Sequence, residues 1–336
     1  MTIKDIAKEC GCGLGTVSRA LNNKPGVKAE TRDKILAVVN KYGFVSNNHA
    51  KQLKAHDNKV ICIIIKGASN LLLTSMLSII QKQLEKLPYS VSVTVIEEED
   101  NEAFVANQVY YEQKPLGIIF LGGNPDKYKE DFAKIQVPCV LISNEAEKIE
   151  NSNLSSVSTD DLCASEYSAK FLIENGHKNI GIIGGNLQNS DITKKRFEGF
   201  LKAVNESGIT FDPKKSYVTA KYSFAGGAEA VKILLERNPD ITAIWTMSDA
   251  MAIGAIRELN DMGYSVPDQI SVIGFDGLPF SGYYSPRLTT IKQQEGELAK
   301  IGLDLLLKSI EDKGESAHIL VPFKFIEGES VKNLIN

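Results

Sequence analysis

Thr2-Ile3-Lys4-Asp5-Ile6-Ala7-Lys8-Glu9-Cys10-Gly11-Cys12-Gly13-Leu14-Gly15-Thr16-Val17-Ser18-Arg19-Ala20-Leu21-Asn22 stands near the start of a 336-residue chain. Ile3, Ile6 and Ala7 recur at helical spacing and Gly11 ends the run. Thr2 can cap this helix, with Asp5 reaching back to it. A second helix runs from about Leu14 to Leu21 and turns Val17, Ala20 and Leu21 inward. Asn22 to Gly26 reads as a turn. A third helix spans about Glu30 to Tyr42, buries Ile35, Val38 and Val39, and stops at Gly43. Two short helices joined by a glycine-bearing turn, then a third, make a helix-turn-helix plan. The wet face of the second helix carries Thr16, Ser18, Arg19 and Asn22. These are short donors for phosphate oxygens and one long fork able to grip guanine. A solvated three-helix bundle with a basic face would show the same residues.

The charge distribution separates this head from the rest. The chain as a whole carries −4. Residues 1–56 hold ten Lys and Arg against four Asp and Glu, a balance of +6; the other 280 hold 28 against 38. A basic head on an acidic body is expected where one end meets a polyanion. No apolar run reaches the ~18 residues of a membrane helix, and the first residues lack the apolar core of a signal peptide, so a cytoplasmic protein is expected. Five scattered cysteines read as reduced thiols, with no second Cys/His pair at zinc spacing. No metal or cofactor is expected. The four histidines are dispersed and suggest no nucleophile–base set, so an enzyme is not expected. Gly11-Cys12-Gly13-Leu14-Gly15 follows a helix rather than a strand and is no dinucleotide loop.

From Lys59 the pattern changes. Strand-like runs (Val60–Ile65, Val91–Ile96, Leu116–Leu121, Pro138–Ile142, Ile180–Ile183, Ile241–Thr246, Ile270–Gly274) alternate with amphipathic stretches (Leu71–Leu87, Leu162–Asn175, Thr193–Ser207, Ala225–Arg237, Ala250–Gly263). Such alternation predicts parallel sheets with helices on both faces, here grouped as two similar lobes that meet near Asp160. A late helix, Glu295–Ser309, and a strand around Ile319–Phe325 would return the chain across both lobes. In open α/β sheets ligands bind at the carboxyl ends of strands. Asp276, Ser248, Asp249, Arg196 and Tyr222 all follow strands or strand-to-helix turns.

Thr2-Ile3-Lys4-Asp5-Ile6-Ala7, Thr16-Val17-Ser18-Arg19-Ala20-Leu21-Asn22 and Thr31-Arg32-Asp33-Lys34-Ile35, in this order, resemble the head of the LacI/GalR family of bacterial repressors. Gly176-His177-Lys178-Asn179-Ile180, Arg196-Phe197-Glu198-Gly199-Phe200, Ser248-Asp249-Ala250-Met251-Ala252-Ile253-Gly254 and Ile273-Gly274-Phe275-Asp276 extend the likeness through the body, which is also similar to periplasmic sugar-binding proteins. The resemblance implies a small all-α helix-turn-helix head (1–46), a hinge helix and linker (47–58), and a two-lobed α/β body (59–336). One lobe would hold about 59–158 with 292–322, the other about 159–291 with 323–336.

Residue by residue, it places Leu14, Gly15 and Arg19 at base-reading positions and adds Thr2, Thr16, Ser18 and Asn22 to the DNA-binding set. In the hinge it places Asn47, Ala50, Lys51 and Leu53 on DNA, with Leu53 as a minor-groove wedge. It places Leu72, Ser143, Arg196, Tyr222, Ser248 and Asp276 around an effector, and His177 in a structural turn. The implied protein is a dimeric repressor of a pseudo-palindromic operator, controlled by a small molecule, with a carbohydrate leading. A nucleobase-like effector, or a cytosolic binding protein with weak DNA specificity, are the alternatives. Departures from the family pattern are Cys12-Gly13, Ser46, Leu71-Leu72-Leu73 after Asn70, and Ser143-Asn144 where sugar-binding members carry Asp-Arg.

Overall fold

The computed structural model describes residues 3–21, 25–42, 59–67, 69–151, 153–312 and 316–335. The chain divides into two compact units, residues 1–58 and 59–336.

In the first unit, helices α1 (Ile3–Cys10), α2 (Leu14–Leu21) and α3 (Ala29–Lys41) enclose Ile6, Ala7, Cys10, Val17, Ala20 and Ile35. Val38 and Val39, expected in the core, are half-buried at its edge. Gly11 stops α1 in a left-handed conformation at φ +62°, and the Cys12 N–H returns to the Ala7 carbonyl at 2.9 Å. The Gly13 carbonyl accepts from the N–H groups of Thr16 and Val17 and starts α2 without a side-chain cap. Tyr42 ties the end of α3 back to α1 through Glu9, hydroxyl to carboxylate at 2.9 Å.

The second unit holds two six-stranded sheets. The first contains β1 (Val60–Lys66), β2 (Ser90–Ile96), β3 (Gly117–Leu121), β4 (Cys139–Ile142), β5 (Leu154–Thr159) and β11 (His318–Val321) in the order β11-β5-β4-β3-β1-β2, all parallel. The second contains β6 (Ile180–Gly184), β7 (Tyr217–Thr219), β8 (Ala243–Thr246), β9 (Ser271–Asp276), β10 (Thr289–Lys292) and β12 (Lys324–Ile326) in the order β12-β10-β9-β8-β6-β7. Only the β10–β12 pair there is antiparallel.

Both sheets follow the same doubly wound plan, with the switch point between β1 and β3 in one and β6 and β8 in the other. In the first lobe lie α4 (Leu71–Leu84), α5 (Glu102–Gln113) and α6 (Lys129–Phe132). In the second lie α7 (Asp161–Glu174), α8 (Asp191–Glu206), α9 (Pro213–Ser216), α10 (Phe224–Arg237) and α11 (Asp249–Asp261). Their apolar faces cover a core around Trp245, Phe200 and Phe275 in the second lobe and a layer of Ile and Leu side chains in the first. The late helix α12 (Glu295–Asp312) packs on the first lobe.

The single strand expected around Ile319–Phe325 is two strands in different sheets. Pro322 separates them, since it has no N–H for a ladder. The chain thus passes between lobes after β5, after β10 and after β11.

Candidate functional site: a basic head and an interlobe cleft

In the head, alternate faces of α2 separate cleanly. Val17 and Ala20 are buried, while Leu14, Gly15 and Arg19 are exposed and Thr16 and Ser18 are half-buried. Leu14 presents an apolar side chain to solvent at the start of α2. The Arg19 guanidinium runs past two bare backbones. A Cβ on Gly26 would stand 3.5 Å from Nη1 and one on Gly15 3.7 Å from Nη2. Gly26 has φ +92°, which excludes most side chains there. Thr2, Asn22, Asn47, Ala50, Lys51 and Leu53 lie outside the described residues.

In the body, the carboxyl ends of the strands of both lobes face one cleft of about 110 Å³. A water needs ~10–15 Å³ of such space, so the cleft has room for a small polar molecule. The first lobe contributes Lys66 from the end of β1, Leu72 from α4, Glu98 and Glu99 after β2, Asn124 after β3 and Ser143 after β4. The second contributes Asn186, Asn189, Arg196, Tyr222 and Asp276. Of the expected effector residues, Leu72, Ser143, Arg196, Tyr222 and Asp276 come together there.

Ser248 does not line it. Its Oγ accepts from the Met251 N–H at 3.2 Å and caps α11, because the helix begins as soon as β8 ends. Asp249, the next residue, is fully buried. It accepts from the Leu278 N–H and from the hydroxyls of Ser281 and Thr290 at 2.6–2.8 Å. It anchors the loop that follows β9.

Arg196 is held on three sides. Nε donates to Asp161 Oδ1 at 2.7 Å, Nη1 donates to the Met247 carbonyl at 2.6 Å, and the guanidinium lies 3.9 Å over the Phe275 ring. Both partners of the ion pair are nearly fully buried, at 5% and 2% side-chain exposure. Burial raises the Asp161 carboxyl, and the guanidinium opposes that shift. Nη2 donates to no described residue, so its two N–H groups remain for a ligand.

Asp276 is 5% exposed and takes a positive φ of 129° at the end of β9. Its Oδ1 accepts from Gln293 Nε2 at 2.8 Å. Burial pushes its carboxyl well above the usual range; Arg196 counters the effect and Asp249 adds to it. The Tyr222 hydroxyl shares a hydrogen bond with Thr193 Oγ1 at 3.0 Å. Its ring lies against Gly185, where a Cβ would meet it at 2.8 Å.

The lobes also touch directly. The Asp126 N–H donates to Asp191 Oδ2 at 3.1 Å, and the Asp191 N–H donates to Asn124 Oδ1 at 3.3 Å. Lys195 pairs with Glu145 at 2.9 Å across the same lip.

Sequence reasoning missed Lys66, Glu98, Glu99, Asn124, Asn186 and Asn189. The rule that ligand groups follow strands points to those on the first lobe too. Among the described residues no cluster of three His, Cys, Asp or Glu could hold a metal, and no helix is long and apolar enough to cross a membrane. All five cysteines are free.

Comparison with known proteins agrees with this architecture. Residues 2–47 match the model of bacterial regulatory proteins of the lacI family, and residues 169–331 match a periplasmic binding protein-like domain. The chain is 35% identical to the HTH-type transcriptional regulator MalR of Clostridium butyricum over 99% of its own length and 100% of that protein. Its fold is similar to the lac repressor dimer bound to operator and the anti-inducer ONPF (TM-score 0.73, 23% identity, 99% of each chain). It is likewise similar to the transcriptional regulator CelR in complex with cellobiose (TM-score 0.72, 21% identity, 98% of this chain and 99% of that one). Members of the family are DNA-binding regulators and not enzymes. A helix-turn-helix head, a two-lobed α/β body and this full-length identity together place the chain in the LacI family of bacterial transcriptional regulators.

Proposed function

We propose that the protein is a dimeric repressor whose affinity for a pseudo-palindromic operator is set by a carbohydrate effector in the interlobe cleft. The observation that carries this reading is the joint presence of two sites on one chain. One is a basic head with Leu14 and Arg19 exposed on α2. The other is a cleft in which Arg196, Tyr222 and Asp276 converge with Ser143 and Leu72.

Carboxylate, guanidinium, hydroxyl and amide groups around a small cleft suit a ligand with many hydroxyls, because each ligand hydroxyl both donates and accepts. The relatives add support: one neighbour was solved with cellobiose, another as a dimer on operator. In this reading Thr16, Ser18, Thr2 and Asn22 contact phosphates, while Leu14 and Arg19 read bases. Asn47, Ala50, Lys51 and Leu53 form the hinge contact, with Leu53 in the minor groove. The head would end near residue 46 and the hinge near residue 58.

The test is selection of bound duplexes from a randomised pool at two salt concentrations. A shared pseudo-palindrome with half-sites about one helical turn apart is expected. A salt-sensitive pool with no shared sequence would overturn the operator-specific reading.

A further inference from the structure

Both cations that line the cleft are already neutralised from within the protein. Lys66 Nζ sits 2.6 Å from Glu102 Oε2 and 2.7 Å from the Asp100 carbonyl, with 7% and 0% of the two side chains exposed. Arg196 is spent in the same way on Asp161. Glu98, Glu99 and Asp276 line the same cleft, and none forms an ion pair among the described residues.

The three are not equivalent. Glu99 is exposed and accepts weakly from Asn189 at 3.4 Å. Glu98 is half-buried, its Cγ and Oε1 lying over Gly67, where a Cβ would meet them at 3.0 and 3.5 Å. Asp276 is nine-tenths buried, and its Oδ2 accepts from no described side chain. Lys221 is exposed and faces the neighbouring outer groove together with Glu97, Glu98 and Glu99. Two neutral pairs plus three carboxyl groups leave the cleft with no net positive charge. Burial raises the Glu98 and Asp276 carboxyls, and a cation placed beside them would favour their ionised form.

We propose that the cleft selects its ligand by charge: it accepts an uncharged polyhydroxy compound, binds the amino-substituted form more tightly through Glu98 and Asp276, and turns away phosphorylated and carboxylated sugars. This rests on the effector-cleft reading above and narrows its ligand class. An anion entering here meets carboxyl groups. The two cations beside it are already paired, Lys66 with Glu102 and Arg196 with Asp161, so that Nη2 of Arg196 offers hydrogen bonds without an uncompensated charge. An ammonium meets one carboxylate from each lobe, so its binding would also favour closure.

The experiment is calorimetric titration of the full chain at pH 7 with glucose, galactose and mannose, each as free sugar, 2-amino-2-deoxy sugar and 6-phosphate, with inorganic phosphate as control. At least one free sugar is expected to bind, its amino form about tenfold more tightly, and its phosphate at least tenfold more weakly. In Glu98→Gln the ratio of amino-form affinity to free-sugar affinity should shrink severalfold. A phosphate ester that binds as well as its parent sugar, or an amino form that binds no better, overturns the charge selection and leaves the carbohydrate reading standing. Silence from every sugar in the panel removes the carbohydrate reading, and this inference with it.

Discussion

Gln293 Nε2 donates to Asp276 Oδ1 at 2.8 Å, and the same amide accepts through Oε1 from Thr159 Oγ1 at 3.0 Å. Thr159 closes β5, where the chain first leaves the first lobe, and Gln293 follows β10, where it returns. One buried amide therefore connects a cleft carboxylate to two of the three interlobe passages. Gln293→Leu keeps the volume and removes both bonds. Leaving Thr159 and Asp276 unpaired should cost about 1–3 kcal/mol, read in the thermal midpoint of the body. The change in radius of gyration on adding a binding sugar should shrink as well. An unchanged scattering response in a destabilised variant would mean that Gln293 is only a packing residue.

Asp276 is placed at a cost to the fold. Its carboxyl is raised by burial first and by Asp249, with Arg196 opposing. A carboxylate whose folded pKa is raised weakens the fold at neutral pH, and the loss is relieved as pH falls through the folded value. Asp276→Asn removes that burden and tolerates the positive φ better than most residues. The variant should melt higher, by about 1 kcal/mol or ~2–4 °C, while sugar binding by calorimetry disappears. A lower melting point would show that the carboxylate is a net stabiliser.

The Arg196–Asp161 pair makes the opposite prediction. Arg196→Ala strands Asp161 at 2% exposure, which should cost about 3–5 kcal/mol in denaturant unfolding. Arg196→Met combined with Asp161→Leu should recover most of that loss and still bind no sugar. Recovery of stability without binding separates the role of the pair in the fold from the role of Nη2 toward the ligand.

Much of this was legible in the sequence, for identifiable reasons. The periodic elements showed themselves through apolar spacing, and Arg196, Tyr222 and Asp276 through their position after strands. Strand β5 did not, because Leu-Ser-Ser-Val-Ser-Thr reads as a polar loop. In the structure Ser155, Ser156, Ser158 and Thr159 are buried between β4 and β11, with hydroxyls serving Ala317, Ala146 and Gln293. A hydrophobic pattern cannot reveal a strand in which three buried hydroxyls find partners outside the strand and the fourth, Ser158 Oγ, has none among the described residues. The charge balance of the cleft was hidden for a similar reason. Lys66 and Glu102 are 36 residues apart, and only the fold makes them a neutral pair.

His177 gives a pH prediction. It is nearly fully buried; Nε2–H donates to the Lys332 carbonyl and Nδ1 pairs with Thr242 Oγ1, both at 3.0 Å. Burial lowers its pKa below the usual 6.5, against the pull of the Lys332 carbonyl. The neutral ring's contribution is therefore complete above the unfolded value and is lost as pH falls from there through the folded value. Thermal melts between pH 7.5 and 5.5 should show the body losing stability toward acid, and His177→Gln should flatten that slope. An identical slope in the variant would assign the pH dependence to other groups.

The head offers the most direct test of sequence reading. Arg19 is exposed beside Gly15 and Gly26, so its loss should leave the fold of the head unchanged by circular dichroism. If the guanidinium reads a guanine, Arg19→Ala should weaken binding to the selected operator by about 1–3 kcal/mol. It should also relax specificity at one base position of each half-site in a repeated selection. If it only contacts phosphate, binding should weaken equally on every sequence and the salt slope should fall by about one unit per head. Fluorescence anisotropy on the operator and on a scrambled duplex, at two salt concentrations, separates the two. Gly15 sharpens the comparison: it offers no side chain to share the contact, so the whole readout at that end of α2 would fall on Leu14 and Arg19.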